Sequence, residues 1–356
     1  KESFTLFPKL RFKEFDGDWL KLKYKDVLTI KYGKDHKSLN DGDIPVYGTG
    51  GLMRHVNKYL YDGESILIGR KGTIDKPKYI NEKFWTVDTL FYTEIEESIV
   101  PLFLYQHALE VNWLGLNEAT GVPSLNTTSI YNIDISIPSK EEQTKIASFL
   151  SAVDEKISQL TKKHELLSQY KQGMMQKLFS QQVRFKADDG SEFGEWDQLK
   201  FKDVIKIKYG KDHKKLDDGD IPVLGTGGVM RYVDSYLYEG ESILIGRKGT
   251  IDKPRFISGK FWTVDTLFYT EIGEKILPKF AFQQLLLVNW LNLNEATGVP
   301  SLNTTSIGNI ELKVPCLAEQ TKIANVLSAI DQKIEVVSKQ IEQAKTWKKG
   351  LLQQMF

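Results

Sequence analysis

Residues 141–179 read EEQTKIASFLSAVDEKISQLTKKHELLSQYKQGMMQKLF, and residues 318–356 read AEQTKIANVLSAIDQKIEVVSKQIEQAKTWKKGLLQQMF. In the first stretch one seam of positions recurs at alternating intervals of four and three: Ile146, Leu150, Val153, Ile157, Leu160, His164, Leu167, Lys171, Met174 and Leu178. The second repeats the register with Ile323, Leu327, Ile330, Ile334, Val337, Ile341, Ala344, Lys348, Leu351 and Met355. Apolar residues at this spacing over about five heptads form the a/d seam of a coiled coil. At ~1.5 Å per residue each stretch makes a rod of about 58 Å. His164, Lys171 and Lys348 interrupt the seam; a polar seam residue fixes register, and a long lysine stem can lie along apolar surface.

Working outward from the helices, residues 19–179 recur as 196–356 without a gap, and 106 of the 161 aligned pairs are identical. The chain is therefore two copies of one unit, a head followed by a helical arm. In the head, Ser65-Ile66-Leu67-Ile68, Phe84-Trp85-Thr86-Val87 and Leu90-Phe91-Tyr92-Thr93 are short, β-branched and aromatic, and they lie between glycine-rich turns, as strands do. A short helix is expected near Leu102–Leu114, and the head ends near Pro138. The polar linker 180–195 is too short to return the second head to the start of the first arm. The expected fold class is α+β: two repeated mixed α/β heads joined by two long helices in an antiparallel coiled coil with pseudo-two-fold symmetry. The expected domains are head one at 1–140, helix one at 141–179, linker and head two at 180–317, and helix two at 318–356.

Composition is that of an ordinary globular protein, 41% hydrophobic and 27% charged. Cys316 is the only cysteine, so neither an intrachain disulfide nor a thiolate metal cluster can form. No stretch approaches a membrane span and no signal-like segment opens at Lys1, so a cytoplasmic location without membrane contact is expected. A net charge of +1 does not announce a nucleic-acid binder. Cations must be concentrated on one face, or a partner must add them.

Identity between the copies is uneven. Residues 31–94 match in 52 of 64 positions and 112–130 in 18 of 19, but 161–179 in only 6 of 19. Within the matched blocks, Lys31-Tyr32-Gly33-Lys34-Asp35-His36-Lys37 mixes cations with an aromatic ring and suits phosphate and base edges, with Lys31, Lys34, His36 and Lys37 as candidate contacts. Tyr47-Gly48-Thr49-Gly50-Gly51 followed by Arg54 lets a ligand approach the backbone at Thr49 and Gly50, without the spacing of a nucleotide-binding loop. Gly69-Arg70-Lys71-Gly72-Thr73 holds two cations at a strand end: Arg70 can grip guanine or phosphate with two donors, Lys71 acts as a point charge, and Thr73 follows them. In the loop 119–128, Asn126 can read adenine while Ser124, Thr127 and Thr128 can bind phosphate. The second copy offers Lys208, Lys211, His213, Lys214, Thr226, Gly227, Arg231, Arg247, Lys248, Thr250, Ser301, Asn303 and Thr304. No catalytic motif and no metal-ligand spacing is present, so the reading is of a binding protein with two heads on a measured spacer. The residues leave open a freestanding repressor or decoy, and a scaffold whose heads bind protein or carbohydrate.

This organisation resembles the specificity subunit of type I restriction-modification enzymes. Pro8-Lys9-Leu10-Arg11-Phe12 with Trp19, and Arg184-Phe185 with Trp196, are similar to the openings of that family's two halves. The glycine run at Tyr47, the Ile66–Thr73 stretch and Thr120-Gly121-Val122-Pro123 are similar to its target recognition domains. Glu142-Gln143-Thr144-Lys145-Ile146-Ala147 and Glu319-Gln320-Thr321-Lys322-Ile323-Ala324 are similar to the starts of its spacer helices. Asp75 and Asp252 depart from it, standing where the family often has glycine. The resemblance implies a non-catalytic subunit that binds double-stranded DNA and no cofactor of its own. Two methyltransferase subunits using S-adenosylmethionine, and restriction subunits using ATP and magnesium, are the implied partners. Two nearly identical heads related by a dyad should read one half-site in opposite orientations, an interrupted palindrome. With half-sites about one helical turn apart and about 3–4 bp read per head, the gap is about 6 bp.

Overall fold

A computed structural model describes residues 8–356; residues 1–7, which include the expected chain opening at Lys1 and the start of the first head, lie outside the described residues. The chain divides into two compact units. One is Lys1–Thr161 together with Lys339–Phe356, and the other is Lys162–Ser338.

In the first unit the head contains β1 (Leu20–Lys23), β2 (Leu28–Tyr32), β3 (Ile44–Gly48), β4 (Gly51–Val56), β5 (Tyr61–Gly69), β6 (Lys78–Thr86), β7 (Leu90–Ile95), α1 (Pro101–Glu110), α2 (Thr127–Tyr131) and β8 (Asp134–Ile137), and α3 (Lys140–Phe179) follows. β2 to β7 form a six-stranded sheet in the order β2-β7-β5-β6-β3-β4, while β1 and β8 make a separate antiparallel ribbon. The β3/β6 pair is parallel, at Val46 with Trp85 and Tyr47 with Thr86. The central strand β5 explains why the sheet is covered on both faces. Successive side chains point to opposite sides, so Ile66 and Ile68 enter the large core with Phe91, Phe103 and Leu104, while Leu67 joins Phe84, Leu90 and Tyr92. Where β5 and β7 part, hydroxyls replace the ladder: Thr93 N donates to Ser65 Oγ at 2.9 Å and Ile66 N to Thr93 Oγ1 at 2.9 Å. Both side chains are buried, and each meets a partner that burial makes obligatory.

The helix expected at Leu102–Leu114 is shorter and split. Proline at its first position starts α1, and extended backbone at Val111 (ψ 131°) ends it. A separate 3-10 turn, Trp113–Leu116, is then capped by the Asn112 side chain, which accepts from Gly115 N at 3.1 Å. The expected strands lie within β5, β6 and β7, except that Val87 falls just past the end of β6.

The second unit repeats this plan with β9 (Asp197–Lys200), α4 (Phe201–Val204), β10 (Ile205–Tyr209), β11 (Asp218–Gly225), β12 (Gly228–Val233), β13 (Tyr238–Gly246), β14 (Arg255–Thr263), β15 (Leu267–Ile272), α5 (Pro278–Leu285), α6 (Thr304–Gly308), β16 (Glu311–Val314) and α7 (Leu317–Met355). Its large sheet runs β10-β15-β13-β14-β11-β12.

Each unit contains the first half of one long helix and the second half of the other. In the first, Ile146, Leu150 and Val153 share a core with Leu351, Leu352 and Met355, and Lys348 Nζ meets Asp154 Oδ1 at 2.7 Å. The first half of α3 pairs with the second half of α7 and the second half of α3 with the first half of α7, so the paired segments run antiparallel. In the second, Met175, Leu178 and Phe179 pack with Ile323, Leu327 and Ile330, and Lys171 Nζ meets Asp331 Oδ1 at 2.6 Å. The two seam lysines thus act as register devices. Each aspartate also accepts from a head glutamine, Gln106 at 3.0 Å and Gln283 at 2.7 Å. Every seam position is buried or half-buried. His164 is half-buried and its carbonyl accepts from Ser168 Oγ at 2.9 Å.

The family-like opening phrases have a structural use. Arg11 Nε donates to Glu142 Oε1 at 2.7 Å, and Arg184 Nε donates to Glu319 Oε1 at 3.0 Å. Glu142 and Glu319 sit in the first turns of α3 and α7 and are buried, where the helix dipole favours a carboxylate and arginine supplies its counter-charge. The linker read as a plain loop is therefore pinned to α7 within its own unit. Lys322 Nζ reinforces it by meeting Asp188 Oδ1 at 2.6 Å.

Candidate nucleic-acid interface

In each head three separate loops meet at one edge of the sheet. The chain leaving β2 passes so close to the β6–β7 turn that a Cβ on Gly33 would lie 2.0 Å from the Val87 carbonyl oxygen. Only glycine permits this approach, which carries Lys34, Asp35, His36 and Lys37 over the Val87-Asp88-Thr89 turn. Lys34 N donates to Thr86 O at 2.8 Å, and Trp85 Nε1 donates to Lys34 O at 2.9 Å. The β3–β4 turn, Gly48 to Met53, forms the opposite wall. Together they enclose an open cleft of about 820 Å³ lined by Asp35, His36, Thr49, Met53, Asp88 and their neighbours. The second head has the same cleft, about 760 Å³, over Asp212, His213, Thr226, Met230 and Asp265.

The Arg70 loop borders this cleft. Its backbone is fixed from both sides: Arg70 N and Lys71 N donate to Thr89 O at 2.8 and 3.1 Å, and Leu125 N donates to Arg70 O at 2.9 Å. Gly72 has φ +91°, and a Cβ there would meet Thr49 Oγ1 at 3.5 Å. Gly72 N donates to Pro123 O at 2.8 Å. The loop at 119–128, the Gly69–Thr73 loop and the Thr49 turn are thereby assembled into one surface, as Lys248, Ser301 and Thr226 are in the second head.

The candidate residues sort into two groups. Lys34, Lys37 and Lys71 are exposed and, among the described residues, have no ion-pair partner; Lys211, Lys214 and Lys248 match them. Gly50 and Gly227 are open, with nothing within 4 Å of where a Cβ would stand. His36 and His213 line the cleft, and each has a buried Nδ1 without a hydrogen-bond partner. Thr73 is half-buried and Thr250 exposed. The remaining candidates are already engaged. Lys31 pairs with Glu94 at 3.1 Å and Lys208 with Glu271 at 3.3 Å; hydrogen bonding to Glu94 raises the Lys31 pKa. Arg54 pairs with Asp41 at 2.6 Å and Arg231 with Asp218 at 2.7 Å.

Asn126 and Asn303 have a structural task. Each caps a short helix by accepting from Ser129 N or Ser306 N at 2.7 Å, while its amide donates to Glu118 or Glu295. Thr127 and Thr304 are the first residues of those helices. Ser124 N and Ser301 N donate to Asn117 Oδ1 and Asn294 Oδ1 at 2.9 Å. These residues hold the loop's shape.

Sequence reasoning missed Met53, Asp88 and Thr89 with their counterparts Met230, Asp265 and Thr266. Their signal was weak because Thr86-Val87-Asp88-Thr89-Leu90 reads as a strand edge, though it lies in an unbroken run of identity between the copies, residues 83–95. It also passed over Tyr32 as a site residue. The Arg70 guanidinium lies 5.5 Å from the Tyr32 ring centre, and Arg247 lies 5.5 Å from Tyr209. Chemically the surface combines exposed cations, open backbone and rigid polar loops, which suits a polyanion whose edges carry acceptors. Among the described residues no cluster of His, Cys, Asp and Glu could hold a metal ion, and no helix is long and apolar enough to cross a membrane.

Comparison with known proteins gives a consistent result. The family described as "Type I restriction modification DNA specificity domain" matches residues 16–168 and again residues 194–346. The type I restriction enzyme MjaVIII specificity subunit of Methanocaldococcus jannaschii is 28% identical, over 82% of this chain and 76% of that protein. Among solved structures, the type I restriction-modification system S subunit from M. genitalium superposes with a TM-score of 0.73 over 99% of both chains, at 17% identity. That likeness speaks for the fold.

Proposed function

Since this chain belongs to the type I restriction modification DNA specificity domain family, we propose that its two heads read the same short DNA sequence twice, in inverted orientation. The chain is the specificity subunit of a type I restriction-modification system. It reads DNA, and the chemistry belongs to its partners: methyltransferase subunits using S-adenosylmethionine for adenine methylation, and restriction subunits using ATP and magnesium. Assembly takes place in the cytoplasm, around DNA.

The observation that carries the proposal is the sameness of the two clefts. Of the twelve residues lining each, eleven are identical, and the exception is Leu52 against Val229. Specificity is a difference in contact energies, so surfaces with the same groups in the same places favour the same bases. The reciprocal exchange of helix halves, antiparallel in each unit and locked by Lys348–Asp154 in one and Lys171–Asp331 in the other, supports the inverted arrangement. In each head the unpaired lysines and Arg70 or Arg247 supply phosphate and base contacts, and the glycine turn lets the backbone come close. The near-neutral net charge accords with partner subunits that close on DNA and add cations.

Single-molecule sequencing of methylated adenines in cells carrying this system tests the proposal. The expected motif is an interrupted palindrome with a gap of about 6 bp. An asymmetric bipartite motif rejects the shared half-site.

A further inference from the structure

Resting on the DNA-reading role proposed above, we propose that Tyr32 and Tyr209 are positioning residues. Each sets the plane of the neighbouring guanidinium, Arg70 or Arg247, so that one fixed pair of donors faces a pair of acceptors on DNA.

Arg70 is held through both its main chain and its side chain. Its main chain is pinned by hydrogen bonds to Thr89 O and from Leu125 N. Its side chain is held at two further points. Nη1 donates to the Asp88 carbonyl at 3.0 Å, and the guanidinium lies over the Tyr32 ring at 5.5 Å. Arg247 repeats both, with Nη1 3.1 Å from the Asp265 carbonyl and the Tyr209 ring at 5.5 Å. Neither guanidinium has a carboxylate partner among the described residues, although Lys31 and Arg54 nearby do. An arginine that served only to brace the loop would gain more from such a partner than from a carbonyl and a ring.

The ring is itself immobilised. Tyr32 closes β2 and meets Phe91 edge-on, with centroids 5.1 Å apart and planes at 81°. Tyr209 meets Phe268 at the same distance and angle. Both tyrosines are more than half exposed (52% and 53%), so each ring stands at the surface beside its guanidinium. A guanidinium over an aromatic face is attracted by the ring's quadrupole. With Nη1 engaged, the Nε–H and Nη2–H edge remains, a fork matched to two adjacent acceptors. Guanine O6 and N7 present such a pair, and so do two oxygens of one phosphate. Rotamer freedom that a loose arginine would lose on meeting DNA has already been lost on folding, the usual route by which preorganisation tightens binding.

The test uses the full chain in its methyltransferase complex. Binding is measured to a duplex carrying the methylated motif and to one with the motif scrambled. Four variants are compared, each made in both heads: Tyr32→Phe with Tyr209→Phe, Tyr32→Leu with Tyr209→Leu, Arg70→Ala with Arg247→Ala, and the Leu and Ala changes combined. Leucine covers Phe91 and Phe268 without a π face, and thermal unfolding of each variant monitors the fold. Removing the arginines should weaken motif binding about 100-fold, within the range for two lost bidentate contacts. Leucine should weaken it about 10-fold at unchanged unfolding temperature, and phenylalanine less than about 2-fold. Once the arginines are gone, leucine should add less than about 2-fold, because a positioning residue has nothing left to position. Full additivity, or no effect of leucine in the parent, overturns the proposal. If the arginine variant itself binds normally, the DNA-reading role of these loops fails first, and the proposal falls with it. Base contact lowers motif binding more than scrambled binding, whereas phosphate contact lowers both alike; either outcome fits the positioning role and identifies the acceptor.

Discussion

The two heads share a cleft but differ beneath it. Their clefts depart from each other at Leu52 and Val229 alone, whereas behind them the packing has been rebuilt. In the first unit Tyr24 and His107 lie side by side, hydroxyl oxygen to Nδ1 2.9 Å, with the Phe356 ring against the imidazole. In the second, the corresponding residues are Phe201 and Gln284, and Gln284 Nε2 donates to Lys313 O at 3.2 Å. A hydroxyl–imidazole pair and a buried ring support equivalent heads because packing needs volume more than particular groups. A readout surface needs particular groups, so it tolerates fewer changes.

Damage to one head at a time should have the largest effect. Arg70→Ala alone and Arg247→Ala alone should each weaken motif binding about 10-fold and should match each other within about 2-fold. Titrating DNA onto the two single variants checks this. Unequal losses would mean that the heads read different half-sites in spite of their common cleft.

Acid should separate the units next. Burial pushes the His107 imidazole down to about 4, while in the unfolded chain it titrates near 6.5. A lowered folded value means that the unfolded chain takes the proton first. Stability is therefore fully present above pH ~6.5 and is lost as pH falls toward 4, by about 3 kcal/mol in the first unit. The second unit, with Gln284 at this place, has no imidazole to take up that proton. Hydrogen exchange resolved by unit between pH 7 and pH 4.5 should show it, and His107→Gln should remove it. That variant also separates the imidazole from Glu110, whose carboxyl pKa burial raises and whose protonation acts in the opposite sense. Equal acid sensitivity in both units would deny His107 this role.

The smallest expected change lies at the one position where the clefts differ. Leu52→Val makes the two clefts identical in composition and should alter motif binding by less than about 2-fold, the usual scale for one exposed methylene. A new methylated motif in that variant would show that the half-sites hang on this side chain.

Much of the fold was legible because its signals are local. The alternating spacing from Ile146 to Leu178 determines which face of α3 is covered, whatever covers it. Ser65–Ile68 and Leu90–Thr93 show their strand character in composition alone. Sheet order was not legible: the parallel β3/β6 pair and the side-chain bridge from Thr93 to Ser65 join residues whose proximity only the folded chain creates. The same limit applies to the site. Lys34, Lys37, Arg70 and Lys71 could be singled out as cations among glycines. That Asp41 occupies Arg54 and Glu94 occupies Lys31, or that Asn126 is spent on capping, depends on which residue lies next to which. Tyr32 stood in a quoted motif, but its relation to Arg70 crosses from β2 to the end of β5.

Residues 339–356 bear on how the molecule is made. Leu10 N donates to Gln354 O at 2.8 Å, and the Phe356 ring packs on Phe103 at 5.1 Å, all inside the first unit. During synthesis these closing residues emerge only after every residue of the second unit has been translated. The first head must therefore wait, its flank beside Ile146 and Leu150 bare and open to chaperones, while the second can close earlier. Translation order makes the last turns of α7 a seal on the first-made domain.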